Sequence, residues 1–83
     1  MRKVVACAIP EEKGYFSVNL PRDAQPFCVE EWIEGSQVLL LVNPESSLNN
    51  KKFLHVTVGD EINKPDKLVY IGKSKGGYVF EVK

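Results

Sequence analysis

Seven short apolar runs, separated by stretches rich in proline, glycine, asparagine and aspartate, constrain this chain more than any single residue does. They occupy residues 3–9, 15–20, 27–33, 37–43, 53–58, 68–72 and 78–82. Runs of this length at nearly regular spacing read as strands of an antiparallel β domain. No segment holds an amphipathic helical period for three turns. A single layer would leave an apolar face wet, so the sheet must close or fold over. The sequence therefore predicts one all-β domain over residues 1–83. Its architecture is an antiparallel small β-barrel or a two-layer β-roll of six to seven strands.

The alternation inside the runs assigns faces. Phe16, Val18 and Leu20 share one side of their strand and belong to the core, while Ser17 and Asn19 face solvent. In residues 27–33 neither face is cleanly apolar, as expected of a strongly twisted strand or of an edge strand guarded by charge. Residues 38–42 are apolar on both faces and predict the central buried strand. Phe53, His55 and Thr57 share one side of their strand, with Leu54, Val56 and Val58 on the other. Residues 43–50 read as the longest loop, with room for one helical turn after Pro44. Residues 59–66 form a second polar loop, and the last two strands make a hairpin across residues 73–77.

Eleven basic and eleven acidic residues cancel, so the chain has no long-range field to gather nucleic acid, and general nucleic-acid binding is disfavoured. The charges are unevenly placed: residues 1–50 hold four Lys or Arg against seven acids, and residues 51–83 hold seven Lys against four acids. Interleaving of the two halves in the sheet would neutralise them locally. No run approaches the ~20 apolar residues of a membrane span. The basic start is cut off by Pro10-Glu11-Glu12, too early for a signal peptide, so the cytosol is the expected compartment. Cys7 and Cys28 then read as reduced thiols within apolar strands, able to pair only if the first and third strands are neighbours.

Catalytic and metal chemistry find little purchase in the sequence. The single histidine, His55, has no partner at a telling spacing, and a Cys–His pair would need the fold to bring it together with Cys7 or Cys28. No Cys-x-x-Cys and no second histidine offer a metal site, and neither metal nor cofactor is expected. Lys73-Ser74-Lys75-Gly76-Gly77-Tyr78-Val79-Phe80 echoes the ring-bearing strand of single-strand RNA binders. Gly77 stands where that pattern needs a ring, however, so a hairpin turn flanked by lysines is the preferred reading. Tyr70, Tyr78 and Phe80 beside Lys73 and Lys75, with Trp32, could make a binding face or simply fill the core.

The order of several motifs resembles a family of small uncharacterised proteins encoded by bacteriophages and prophages. It runs from Leu20-Pro21-Arg22-Asp23-Ala24 and Phe27-Cys28-Val29-Glu30 through Val38 to Pro44. It continues with Phe53-Leu54-His55-Val56, Val58-Gly59-Asp60-Glu61-Ile62, Val69-Tyr70-Ile71-Gly72 and Gly76-Gly77-Tyr78-Val79-Phe80. The chain departs from that pattern at Asp60, where glycine is expected, and near Glu81, where a histidine is common. The resemblance implies a small accessory phage protein acting in the bacterial host cytoplasm, and transfers no catalytic residue.

The expected function is a non-enzymatic viral protein that binds and inhibits a host protein, such as a bacterial defence complex of the CRISPR type. Glu30, Glu31, Trp32, Lys73, Lys75 and Tyr78 are the expected partner-binding residues. The alternative is a homo-oligomeric sponge for a nucleotide-like signalling molecule. It would use Lys51, Lys52 and Tyr70 beside Lys73 and Lys75.

Overall fold

A computed structural model of the chain describes residues 1–62 and 67–83. Its strands are β1 (Lys3–Ala8), β2 (Gly14–Pro21), β3 (Gln25–Trp32), β4 (Gly35–Val42), β5 (Leu48–Val56), β6 (Leu68–Ser74) and β7 (Gly77–Val82). Every pairing is antiparallel. Two sheets result, one ordered β1-β4-β3 and the other β2-β5-β7-β6. Of the two predicted closures, the two-layer arrangement is the one found.

The core lies between the sheets, and strand parity explains its membership. Val38, Leu40 and Val42 of β4 meet Leu20, Phe53 and Val79 of the other sheet, with Ile9 and Ala24 closing the ends. Leu40, Phe53 and Val79 have no exposed surface. On β2, Phe16 and Val18 pack against this cluster beside Leu20, while Ser17 and Asn19 stay exposed, as the alternation predicts. β4 is the middle strand of its sheet, and Leu39 and Leu41 on its outer face are only half-buried.

Two local readings are corrected. Residues 43–50 are not all loop: β5 begins at Leu48, and Leu48, Asn49 and Asn50 pair with Pro21, Leu20 and Asn19 of β2. The turn that remains is tightened by the Asn43 side chain, which accepts the Glu45 N–H at 3.1 Å. The last hairpin is also shorter than 73–77, since β6 runs to Ser74 and β7 resumes at Gly77. In the second polar loop, Asp60 ties back to Thr57 at 2.8 Å. Residues 63–66 of that loop lie outside the described residues.

β3 is an edge strand, one of the two readings its mixed alternation allows, and it carries a bulge between Pro26 and Cys28. The extra residue bends β3 and leaves Phe27 exposed. β3 runs against β6 of the other sheet. At Gly72 a Cβ would stand 3.0 Å from the Val29 backbone nitrogen, so glycine is what admits this close approach. Cys7 and Cys28 are free thiols on opposite faces of the first sheet, with β4 between their strands.

The charged halves do not neutralise each other by ion pairs among the described residues. Both ion pairs, Lys51–Glu81 at 2.7 Å and Lys83–Glu81 at 3.5 Å, join residues of the second half. The first sheet draws all its strands from the first half and carries Lys3, Glu30 and Glu31 on them. The strands of the second sheet carry Lys51, Lys52 and Lys73 against Glu81 alone. The imbalance read along the sequence thus becomes an imbalance between two layers.

Candidate functional site

The register places a ring-bearing face on the outside of the second sheet. Directly paired residues point to the same side of a sheet. Tyr15 pairs with Leu54, Leu54 with Phe80, and Phe80 with Tyr70, so these four form one row across all four strands. A neighbouring row holds Val56, Tyr78 and Lys73. On the other flank, Ser17 pairs with Lys52, and Val82 with Leu68. Tyr15 and Tyr70, at the two ends of the row, are 51% and 56% exposed, whereas Leu54 between Tyr15 and Phe80 is 4% exposed.

The rings on this face are held in place. Tyr70 meets Phe80 edge-on, with centroids 5.5 Å apart. The Lys52 ammonium lies 4.6 Å from the centroid of the Tyr15 ring, within cation–π range. Glu81 is the only carboxylate on the described strands of this sheet, and it faces inward, buried, against Lys51. The outer face therefore carries lysines without compensating acids.

The expected partner residues fall in three places. Lys73 and Tyr78 are cross-strand neighbours on this outer face. Glu30 and Trp32 share the outer side of β3, where the Trp32 indole N–H donates to Glu30 Oε1 at 3.1 Å. Glu31 turns to the opposite side of β3, where it accepts the Ser36 hydroxyl at 3.2 Å. Ser36 Oγ in turn accepts the Lys75 backbone N–H at 3.0 Å, which brings Glu31 and Lys75 together at the hairpin end of the molecule. Of the expected ligand residues, Lys52 and Tyr70 share the outer face, but Lys51 points inward to Glu81.

A second place is centred on His55, which is buried at 3% exposure. Its Nδ1 lies 3.1 Å from the Pro10 carbonyl and its Nε2 lies 2.6 Å from Ser74 Oγ. A carbonyl can only accept, so Nδ1 carries the proton and Nε2 accepts the Ser74 hydroxyl. Neither nitrogen meets a cysteine, and burial pushes the Cys7 thiol above its ordinary 9.0. A pocket of about 230 Å³ opens here, lined by His55, Ser74, Lys75, Lys13, Glu11 and Glu34 among others. Among the described residues, no group of three or more His, Cys, Asp or Glu is placed to hold a metal ion. No helix there is long and apolar enough to cross a membrane.

Burial first, and the Lys13 charge second, hold the His55 imidazole below its ordinary pKa of 6.5, against the Pro10 and Glu12 backbone bonds that favour the protonated ring. An unfolded chain takes up a proton at His55 as pH falls through that value, while the folded chain resists. The stabilisation is therefore complete above pH 6.5 and is lost as pH falls through the depressed folded pKa. Melting curves of the wild type and His55→Gln should diverge least at low pH. A constant difference between them from pH 5 to pH 8 would show that His55 does not titrate with folding.

Sequence reasoning missed Ser74, Tyr15 and Leu54. Ser74 sat inside an apparent turn, and its partner lies two strands away with β7 between. Tyr15 and Leu54 join the outer face only through the β2–β5–β7 register, which no local pattern encodes. No protein-family model matches the chain, and no curated protein or solved structure matches it significantly. What the fold defines is a class: an antiparallel domain of two sheets, with seven strands among the described residues.

Proposed function

We propose that this chain is a binding protein whose outer face on the second sheet docks on an acidic protein surface, with no chemistry performed at that face. The observation that carries the reading is the row Tyr15, Leu54, Phe80 and Tyr70 flanked by Lys52 and Lys73, with the sheet's only described carboxylate turned inward. Rigid rings lose little conformational entropy on contact and supply most of the energy of many interfaces. Lysines without nearby acids favour a negatively charged partner and speed encounter. Together with the resemblance to phage-encoded proteins, this points to occupancy and inhibition of a host protein in the bacterial cytoplasm, such as a defence complex. Glu30 and Trp32 on the other sheet offer a second contact region of opposite charge.

The test immobilises the full chain and captures proteins from lysate of a bacterial host. The outer-face variant Tyr70→Glu/Lys73→Glu should capture roughly 10-fold less of the partner, or less still, the effect of losing one hot spot. The captured protein's own activity should fall when wild-type chain is added. Equal capture by this variant and the wild type would remove the outer face from the reading.

Lys52 over the Tyr15 ring, with Tyr70 and Lys73 on the same face, supports a second reading, a sponge for a nucleotide-like signal. A ring for the base and ammonium groups for phosphate suit such a molecule. Cyclic and ADP-ribose nucleotides at ~100 times the dissociation constant would add about 2.7 kcal/mol, a rise of roughly 10–20 °C in the melting midpoint. No rise with any of them leaves the protein-binding reading alone.

A further inference from the structure

Binding through the outer face leaves the hairpin end of the molecule unexplained. There Ser74 and His55, from β6 and β5, meet across β7 at 2.6 Å. A hydroxyl donating to a neutral imidazole nitrogen is the arrangement in which a base takes the proton of a nucleophile. The Pro10 carbonyl holds the ring through Nδ1 at 3.1 Å, the orienting role that a carboxylate fills in other nucleophile–base pairs. Both residues line the same pocket, so the pair borders open space although each is buried.

A cation stands beside them. Lys13 Nζ donates to the Glu11 carbonyl at 3.3 Å and passes 3.2 Å from where a Cβ of Gly76 would be. The backbone N–H of Lys75, next to Ser74, is already given to Ser36 Oγ at 3.0 Å. Lys13 lines the same pocket and its charge already acts on His55, so it is the cation we assign to negative charge developing near Ser74. The other charged groups that line the pocket are Glu11, Glu34 and Lys75.

We propose that Ser74 is a nucleophile activated by His55 and that the chain hydrolyses small carboxylic esters in this pocket. Ser74 Oγ bonds to the ester carbonyl carbon as its proton passes to His55 Nε2, and the carbonyl electron pair moves to oxygen beside Lys13. The carbon–oxygen bond to the alcohol then breaks, and His55 returns the proton to the departing alcohol. Water repeats the sequence on the acylated serine: its proton goes to His55, its oxygen to the acyl carbon, and Ser74 leaves with the proton restored. The sum is ester and water to acid and alcohol, with no further reactant. A volume of about 230 Å³ falls below the usual ligand pocket and selects short acyl groups.

The inference stands on different residues from the outer face, so either can fail without the other. The experiment treats the full chain with a small fluorophosphonate and maps the adduct by peptide mass spectrometry, with p-nitrophenyl acetate hydrolysis measured alongside. One adduct on Ser74 is expected, absent from Ser74→Ala and formed at least about 100-fold more slowly in His55→Gln. Labelling should rise with pH as His55 loses its proton, reaching half its maximum below pH 6.5. Lys13 is exposed, so Lys13→Met should keep the wild-type melting midpoint and slow ester hydrolysis about tenfold. Folded wild type without an adduct on Ser74, or with adducts shared equally with Ser17 and Ser47, overturns the proposal. So does an unchanged labelling rate in a folded His55→Gln chain.

Discussion

Leu40→Asp should leave the chain without a cooperative melting transition. Leu40 is fully buried at the middle of the central strand, paired with Val5 on one side and Pro26 on the other. Truncating such a leucine to alanine alone costs about 2–5 kcal/mol through lost transfer energy and the cavity left behind. The aspartate adds the desolvation of a carboxyl with no partner, several kcal/mol more whether it stays charged or takes up a proton. A domain of this size commands about 4–12 kcal/mol in all. The sum exhausts that stability, and the amide spectrum should collapse to the narrow dispersion of an unfolded chain. Leu39→Asp is the control, because Leu39 lies one residue away on the half-buried outer side of β4. It should fold with a lowered midpoint. A cooperatively melting Leu40→Asp chain, or equal damage from both, would contradict the inward assignment of Leu40.

That pair of variants also shows what the sequence makes legible. The face of β4 follows from period-two alternation, a local property, and so do the core positions Phe16, Val18 and Leu20. Leu48, Asn49 and Asn50 read as loop because asparagine has low strand propensity, yet they pair with β2. Propensity yields here to a partner strand that supplies the missing contacts. His55 shared a predicted face with Phe53, and that face is the core. What alternation could not supply were the groups that satisfy it there, Pro10 and Ser74, which lie 45 and 19 residues away in sequence. The outer face needed the register of four strands at once. The segregation of charge by layer needed to know that the first sheet takes its strands from the first half only.

The two candidate places share the hairpin that joins β6 to β7. Its β7 arm carries Tyr78 and Phe80 outward, while its β6 arm carries Ser74 inward to His55. The position where both depend on the backbone is Gly77, which pairs with Ser74 and starts β7 beside the end of β5. A Cβ at Gly77 would fall far inside van der Waals contact distance of the Val56 carbonyl oxygen. Backbone cannot move aside as a rotamer does, so Gly77→Ala must push β7 away from β5. The loss of glycine would by itself stabilise the chain by about 0.4–1 kcal/mol through the unfolded state. Overpacking costs about 1–3 kcal/mol or more, and a rigid neighbour puts this site at the upper end. The net loss of about 2 kcal/mol should lower the melting midpoint by roughly 8–16 °C. Gly76→Ala makes the contrast, since its Cβ would meet only the Lys13 ammonium at 3.2 Å, the end of a flexible side chain that can swing away. It should melt at or roughly 2–8 °C above the wild type, since the unfolded-state gain applies there without the clash. Because the separation of β7 from β5 pulls Ser74 from His55, Gly77→Ala should also weaken the pH dependence assigned to His55. A Gly77→Ala chain as stable as Gly76→Ala would mean that β5 and β7 have slack at this end, and that the short Ser74–His55 contact is not enforced by the sheet.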